Sequence, residues 1–148
     1  MDYGKCATQS TNKIITAEEN KRKLIIHNPS RKVIRKIKVD GCLPINSGLR
    51  CDYLFEIDTN TFIDAPVSKI DRVIYLELKG CDIEKAYKQL VATIELFITE
   101  HQGTKRECYI VASRVPSADT TVANLRAEMM RNKKVKLTVK NNQAEVNI

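Results

Sequence analysis

The chain has 148 residues, of which 43% are hydrophobic, 29% charged and only 5% aromatic, with no tryptophan. That length fits one domain, able to bury roughly 68–70% of its unfolded surface; the apolar content excludes a disordered polyelectrolyte, and no charge-free run approaches the ~20 residues of a membrane helix. The formal charge of +7 divides into +7 over residues 1–50, −5 over 51–100 and +5 over 101–148, an acidic middle between basic flanks that suits phosphate at the edges and cations at the centre.

The opening MDYGKCATQSTNK lacks the apolar run of a secretory signal, so a soluble, cytoplasmic chain without membrane association is expected. Its five cysteines are odd in number and contain no CxxC pair. Reduced, half-buried thiols are therefore expected for most of them, rather than a disulfide framework or a zinc site.

Residues 1–13 are polar and expected to fray. Thr16-Ala17-Glu18-Glu19 has capping-box spacing, which predicts a short helix. Leu24 to His27 reads as a strand, and Asn28-Pro29-Ser30-Arg31 as a type I turn. Val33 to Val39 alternates imperfectly, giving a strand that carries basic residues. Asp40-Gly41 marks a turn. Cys51 to Asp58 alternates again, and a polar loop with Pro66 runs on to Asp71. Arg72 to Lys79 is apolar on both faces until its end, which predicts a central strand covered on both sides.

Asp82 to Glu100 shows one apolar stripe: Ile83, Ala86, Tyr87, Leu90, Val91, Ile94 and Ile98. That spacing predicts an amphipathic helix, with Asp82 and Glu84 favourably placed at its positive end. Cys108 to Ala112 is a buried strand, and 120–132 a second helix. Two short strands close the chain as a hairpin around Asn141-Asn142. A strand, a crossover helix and a second strand make a parallel β-α-β unit. The class is α/β (or α+β), a single domain with a core at 16–112 and a C-terminal helix and hairpin at 113–148. Tyr75 and Tyr87 are expected in the core.

Glu77 and Lys79 are two apart and share a strand face, while Leu76 and Leu78 take the other. Charged groups at the end of an apolar strand are costly unless paired or bound to metal. Asp52 lies on the preceding strand, so hairpin pairing would bring it beside Glu77. Two carboxylates so placed repel, and a shared proton or divalent cation relieves them.

The pattern Asp52 … Glu77-Leu78-Lys79, with the phrases RCDYLFEI and VIYLELKG, resembles the PD-(D/E)XK nuclease superfamily, and within it a small uncharacterised bacterial group. Cys51 stands where that motif often has proline. The resemblance implies a restriction-endonuclease-like mixed sheet flanked by helices, with an αβββαβ core. It also implies metal-dependent phosphodiester hydrolysis of nucleic acid, DNA in the first instance. Asp52, Glu77 and the Leu78 backbone carbonyl would hold Mg²⁺ or Mn²⁺, and Lys79 would be the third catalytic group. Glu18 or Glu19 on the leading helix, and Lys85 and Gln89 on the following one, would be accessory. Such enzymes often act as homodimers. Two basic segments, with Arg31, Lys32, Arg35, Lys36 and Lys38 in one and Lys133, Lys134 and Lys136 in the other, are expected to hold flanking phosphates. The alternative is an inactive module of the same fold that binds nucleic acid or a partner protein, of immunity, toxin or defence type.

Overall fold

A computed structural model describes residues 2–45, 48–61, 69–115 and 120–148; the Lys79 side chain lies outside that description, as does the expected loop around Pro66. Among the described residues, nine strands and two helices follow a 3₁₀ turn at Gly4–Cys6. They are β1 (Ala7–Ser10), β2 (Ile14–Glu19), β3 (Arg22–His27), β4 (Ile34–Lys38), β5 (Tyr53–Asp58), β6 (Ile70–Lys79), α1 (Ile83–Leu96), β7 (Lys105–Ala112), α2 (Thr121–Lys133), β8 (Lys136–Asn141) and β9 (Gln143–Asn147). The architecture is mixed α/β, largely sheet with two helices.

One sheet has six strands in the order β1-β4-β5-β6-β7-β8, and a second has three in the order β2-β3-β9. Strands β4, β5 and β6 form an antiparallel meander. β7 runs parallel to β6 after the α1 crossover, and β8 runs parallel to β7. The six-stranded sheet is covered on both faces. On one face Leu54, Val73, Tyr75, Cys108 and Ile110 pack with Leu90 and Ile94 of α1. On the other, Phe55, Ile74, Leu76 and Val111 meet Ile15, Leu24 and Ile26 of the small sheet. Double coverage explains why β6 reads as apolar on both faces. Fully burying each such side chain stabilises the fold by about 1.5–3 kcal/mol.

The α1 helix starts where its cap dictates: the Asp82 carboxylate accepts the Lys85 N–H at 3.0 Å, satisfying an orphan donor. It ends at Leu96, short of the expected Glu100, so Ile98 falls outside the stripe and is exposed. Tyr75 and Tyr87 are buried, as expected of core residues. The Asn28 turn closes with Arg31 N–H donating to the Asn28 carbonyl at 3.1 Å.

Three expectations are corrected. Thr16 to Glu19 is the end of strand β2 and not a helix: Ile15 and Ala17 alternate into the core, and β-branched Ile14, Ile15 and Thr16 favour extended backbone. Asn20 and Lys21, both at positive φ (49° and 67°), make a two-residue turn of the type I′ kind that matches strand twist. Residues 2–13 are tied down by the β1–β4 ladder and by a disulfide between Cys6 and Cys42, whereas Cys51, Cys81 and Cys108 are free thiols. Finally, β8 and β9 do not pair as a hairpin, because β9 leaves the large sheet and pairs in parallel with β3. No helix of the described residues is long and apolar enough to cross a membrane.

Candidate functional site

The register sets Tyr53 opposite Leu76, so Asp52, one residue before β5, faces Glu77. Three hydrogen bonds lock the approach. The Asp52 N–H donates to the Leu76 carbonyl at 3.1 Å and to Glu77 Oε1 at 3.0 Å, and the Leu78 N–H donates to Asp52 Oδ2 at 2.8 Å. Upstream, the Cys51 N–H donates to Thr93 Oγ1 of α1 at 2.8 Å. Glu77 Oε1 thus sits on the Asp52 backbone and Asp52 Oδ2 on the Leu78 backbone, with Glu77 only 1% exposed.

Burial pushes the Asp52 carboxyl above its usual range; the Leu78 N–H opposes this, and the charges of Glu19 and Asp40 add to it. The pair therefore favours a proton or a cation between its oxygens. Leu76 C=O and Leu78 N–H both point toward Asp52, and a strand residue's N–H and C=O point the same way. The Leu78 carbonyl thus faces the same corner. Among the described residues no group of three or more His, Cys, Asp or Glu side chains is placed to hold a metal ion. Two carboxylates and a carbonyl are nonetheless the hard oxygen set that Mg²⁺ accepts while keeping several waters.

The Lys79 backbone pairs opposite Ala112. Gln89 lies beside the pair's approach: its Nε2 donates to the Arg50 carbonyl at 3.2 Å, and its Oε1 is buried without a hydrogen-bond partner. Lys85 is exposed on the first turn of α1. Of the two acids expected on a leading helix, Glu18 is exposed, whereas Glu19 is half-buried and accepts from Tyr53 Oη at 3.4 Å. Glu19 thus reaches the site from a strand.

The basic segments do not surround this corner. Lys38 pairs opposite Tyr53 and so sits at the Asp52 end. Arg31 and Lys32 precede β4 at its other end, and Lys136 pairs with Glu107, five residues down β7 from Ala112 and therefore roughly 16 Å away. Lys133 and Lys134 come just before Lys136, and Lys133 is paired with Glu95 at 2.7 Å. Arg35 is turned inward, 3.2 Å from Glu56 and 3.5 Å from Asp58. Lys36 donates to the Thr16 carbonyl at 2.8 Å and lies over the Tyr53 ring; burial lowers its pKa. As a phosphate-binding set at the carboxylate pair, these eight residues reduce to Lys38. Two other basic side chains do reach this end: Arg22, which lies outside both segments and whose Nη1 donates to Ser113 Oγ at 2.8 Å, and Lys140, the last residue of the second basic segment, opposite Val111.

A second polar cluster lies inside the fold, near the C-terminal end of α1. Glu56, 3% exposed, accepts from Tyr3 Oη at 2.6 Å, from Arg35 Nε at 3.2 Å and from His101 Nε2 at 2.7 Å. A carboxylate can only accept, so Nε2 carries the hydrogen, while Nδ1 meets Tyr75 Oη at 2.7 Å. Burial alone would raise the Glu56 carboxyl, but the donors from His101, Tyr3 and Arg35 outweigh it and hold the group below its usual range. The alternation at 51–58 put Glu56 and Asp58 on one face with Leu54, and coverage of β5 on both sides turns them inward.

Comparison of the chain with protein-family models, curated proteins and solved structures gave no match.

Proposed function

We propose that the protein is a metal-dependent phosphodiesterase acting on nucleic acid, DNA in the first instance, through a PD-(D/E)XK-type site on a restriction-endonuclease-like fold. The observation that carries this reading is the meeting of Asp52 and Glu77 at the ends of adjacent strands, the Glu77 carboxyl on the Asp52 backbone and the Asp52 carboxyl on the Leu78 backbone. The antiparallel meander, the crossover helix and the parallel strand after it support the fold reading. A leading helix is absent from the described residues, where β2 and β3 stand instead.

In this reading Asp52, Glu77 and the Leu78 carbonyl hold Mg²⁺ or Mn²⁺. A cation held there would supply polarisation of a phosphoryl oxygen and a more acidic water. The chain's own contribution is rigid placement: the Thr93–Cys51 bond and the Leu78–Asp52 bond fix the aspartate before any ligand arrives, so little reorganisation is needed at the reacting centre. Lys79, two residues past Glu77, is assigned the charge that steadies the attacked phosphate. Gln89 supplies a further oxygen from α1, and Lys38, Arg22 and Lys140 supply cationic surface at this end.

A second reading keeps the fold and drops the chemistry. Glu77 is almost wholly buried and Asp52 is tied to its backbone neighbours, which also suits a structural carboxyl pair sharing a proton in a nucleic-acid- or partner-binding module. Plasmid and single-stranded DNA incubated with Mg²⁺, Mn²⁺ or EDTA separates the two. Nicking that needs the metal and disappears in Lys79→Ala is the expected result. Salt-sensitive binding with no cleavage under any metal would assign the protein to the binding class.

A further inference from the structure

Residues 2–10 form a strap. Strand β1 is a four-residue edge strand with no fully buried residue, paired only to β4. Ahead of it the chain turns back, placing Tyr3 against Phe97 with ring centroids 6.3 Å apart and its hydroxyl on Glu56. Asp2, Tyr3, Gly4, Ala7 and Gln9 make one wall of a cleft of about 590 Å³; Arg35, Glu56, Ile70 and Glu100 line the rest. The Glu56–His101–Arg35 cluster thus lies at the cleft's inner side, with Tyr3 as its outer cover. The one covalent hold on the strap is the Cys6–Cys42 disulfide, which ties it to the loop between β4 and β5 across 36 residues of sequence.

Both sulfurs are on residues that solvent reaches: Cys42 is exposed and Cys6 half-buried. The other thiols do not compete. Cys51 and Cys108 are fully buried, and burial holds both thiols protonated, with Cys51 pushed up to about 12. Cys81 precedes α1 and is not part of the strap. Without the disulfide, a short exposed ladder and one tyrosine would hold the segment, the low-stability attachment from which local opening starts. Tyr3, Cys6 and Ala7 pack on the edge of the core, but the carboxylate pair is anchored elsewhere. Asp52 is fixed by bonds to Thr93, Leu76, Glu77 and Leu78 through its own backbone, its side chain and its neighbour Cys51.

We propose that the Cys6–Cys42 disulfide is a redox latch on this strap, and that its reduction releases residues 2–10 and opens the Glu56 cleft while the rest of the fold stays closed. The reductant is a dithiol. Its thiolate attacks one sulfur, the S–S bond breaks, and the departing cysteine thiolate takes up a proton. The second thiol of the reductant then attacks the mixed disulfide, releasing the other cysteine as a thiol and leaving the reductant as a cyclic disulfide. Two electrons pass to the protein.

The test compares air-oxidised protein with protein in dithiothreitol, using thiol alkylation under denaturing conditions and hydrogen exchange read by mass spectrometry. The oxidised chain is expected to show three alkylatable thiols and the reduced chain five. On reduction, amides of residues 4–10 should exchange about tenfold faster or more, with the amides of α1 unchanged. Cys42→Ser should exchange fast with or without dithiothreitol, and Cys81→Ser should behave as the parent chain. Five thiols in the oxidised protein would overturn the proposal. So would unchanged strap exchange on reduction, or loss of α1 protection along with the strap. If Cys42→Ser fails to fold, the reduced parent chain alone decides between these outcomes.

Discussion

Thr93→Val probes how Asp52 is held. Thr93 and Cys51 are both completely buried, and the threonine hydroxyl sits between them as a relay. It accepts the Cys51 N–H at 2.8 Å and donates to the Gln89 carbonyl at 2.8 Å. Valine has nearly the same volume, so the change opens no cavity, but it removes the acceptor. The Gln89 carbonyl is one turn back in α1 and keeps its helical partner, so that side costs little. The Cys51 N–H is left buried and unpaired, at a cost of about 1–3 kcal/mol. In a chain of this size that lowers Tm by roughly 2–12 °C. Thr93→Ser keeps the hydroxyl and loses one buried methyl, at a cost of about 1 kcal/mol. Urea melts followed by circular dichroism should therefore show a lower midpoint with an unchanged slope for Thr93→Val. Divalent-cation affinity should fall in Thr93→Val and be preserved in Thr93→Ser, because only the former frees the residue ahead of Asp52. A valine variant as stable as the parent and with parental cation affinity would refute the idea that this bond positions the site.

Asp52 and Glu56 should give opposite pH slopes. Asp52 has a raised folded-state pKa, so the folded state binds its proton more tightly than the unfolded state, and stability falls as pH rises through that window. Asp52→Asn removes the fall, and its advantage over the parent chain should grow as pH rises from the ordinary carboxylate range through the raised folded-state value, and vanish in acid below both. Glu56 has a lowered pKa, so its contribution is full above the ordinary carboxylate range and is lost as pH drops through the folded value. Glu56→Gln should cost about 3 kcal/mol at neutral pH, as for a broken buried pair, with a gap that closes in acid; a pH-independent gap would contradict the assignment. At the β2–β3 turn, Lys21→Gly should stabilise the chain by about 0.5–1 kcal/mol in the same melts, because Lys21 holds φ at 67°, where a Cβ is strained.

Much of the large sheet could be read from sequence because its signals are local. The doubly apolar run at 72–79, the Asp82 cap with its stripe, and the alternation at 53–58 each fix an element without reference to the rest. Asp52 beside Glu77 follows from hairpin register, and there the sequence reading and the structure agree. The capping-box pattern at Thr16 misled because Glu at the third position serves a helix start and an exposed strand face equally. The turn after it was marked by Asn20-Lys21, a weaker signal than Asn-Gly. The basic segments misled for a different reason. Charge pattern does not say which end of a strand a residue occupies, and only the register placed Lys136 at the far end and turned Arg35 onto Glu56. The Cys6–Cys42 bond and the contact of Tyr3 with Glu56 join residues 36 and 53 positions apart, a separation that no local pattern reports.

The central claim is that Asp52 and Glu77 together seat one divalent cation. Titration with Mn²⁺ at neutral pH, with the free ion followed by electron paramagnetic resonance, tests it in the absence of nucleic acid. The account predicts one site per chain, weakened about tenfold or more in Asp52→Asn and in Glu77→Gln. A parent chain that leaves Mn²⁺ free, or variants that bind it as tightly as the parent, would contradict it.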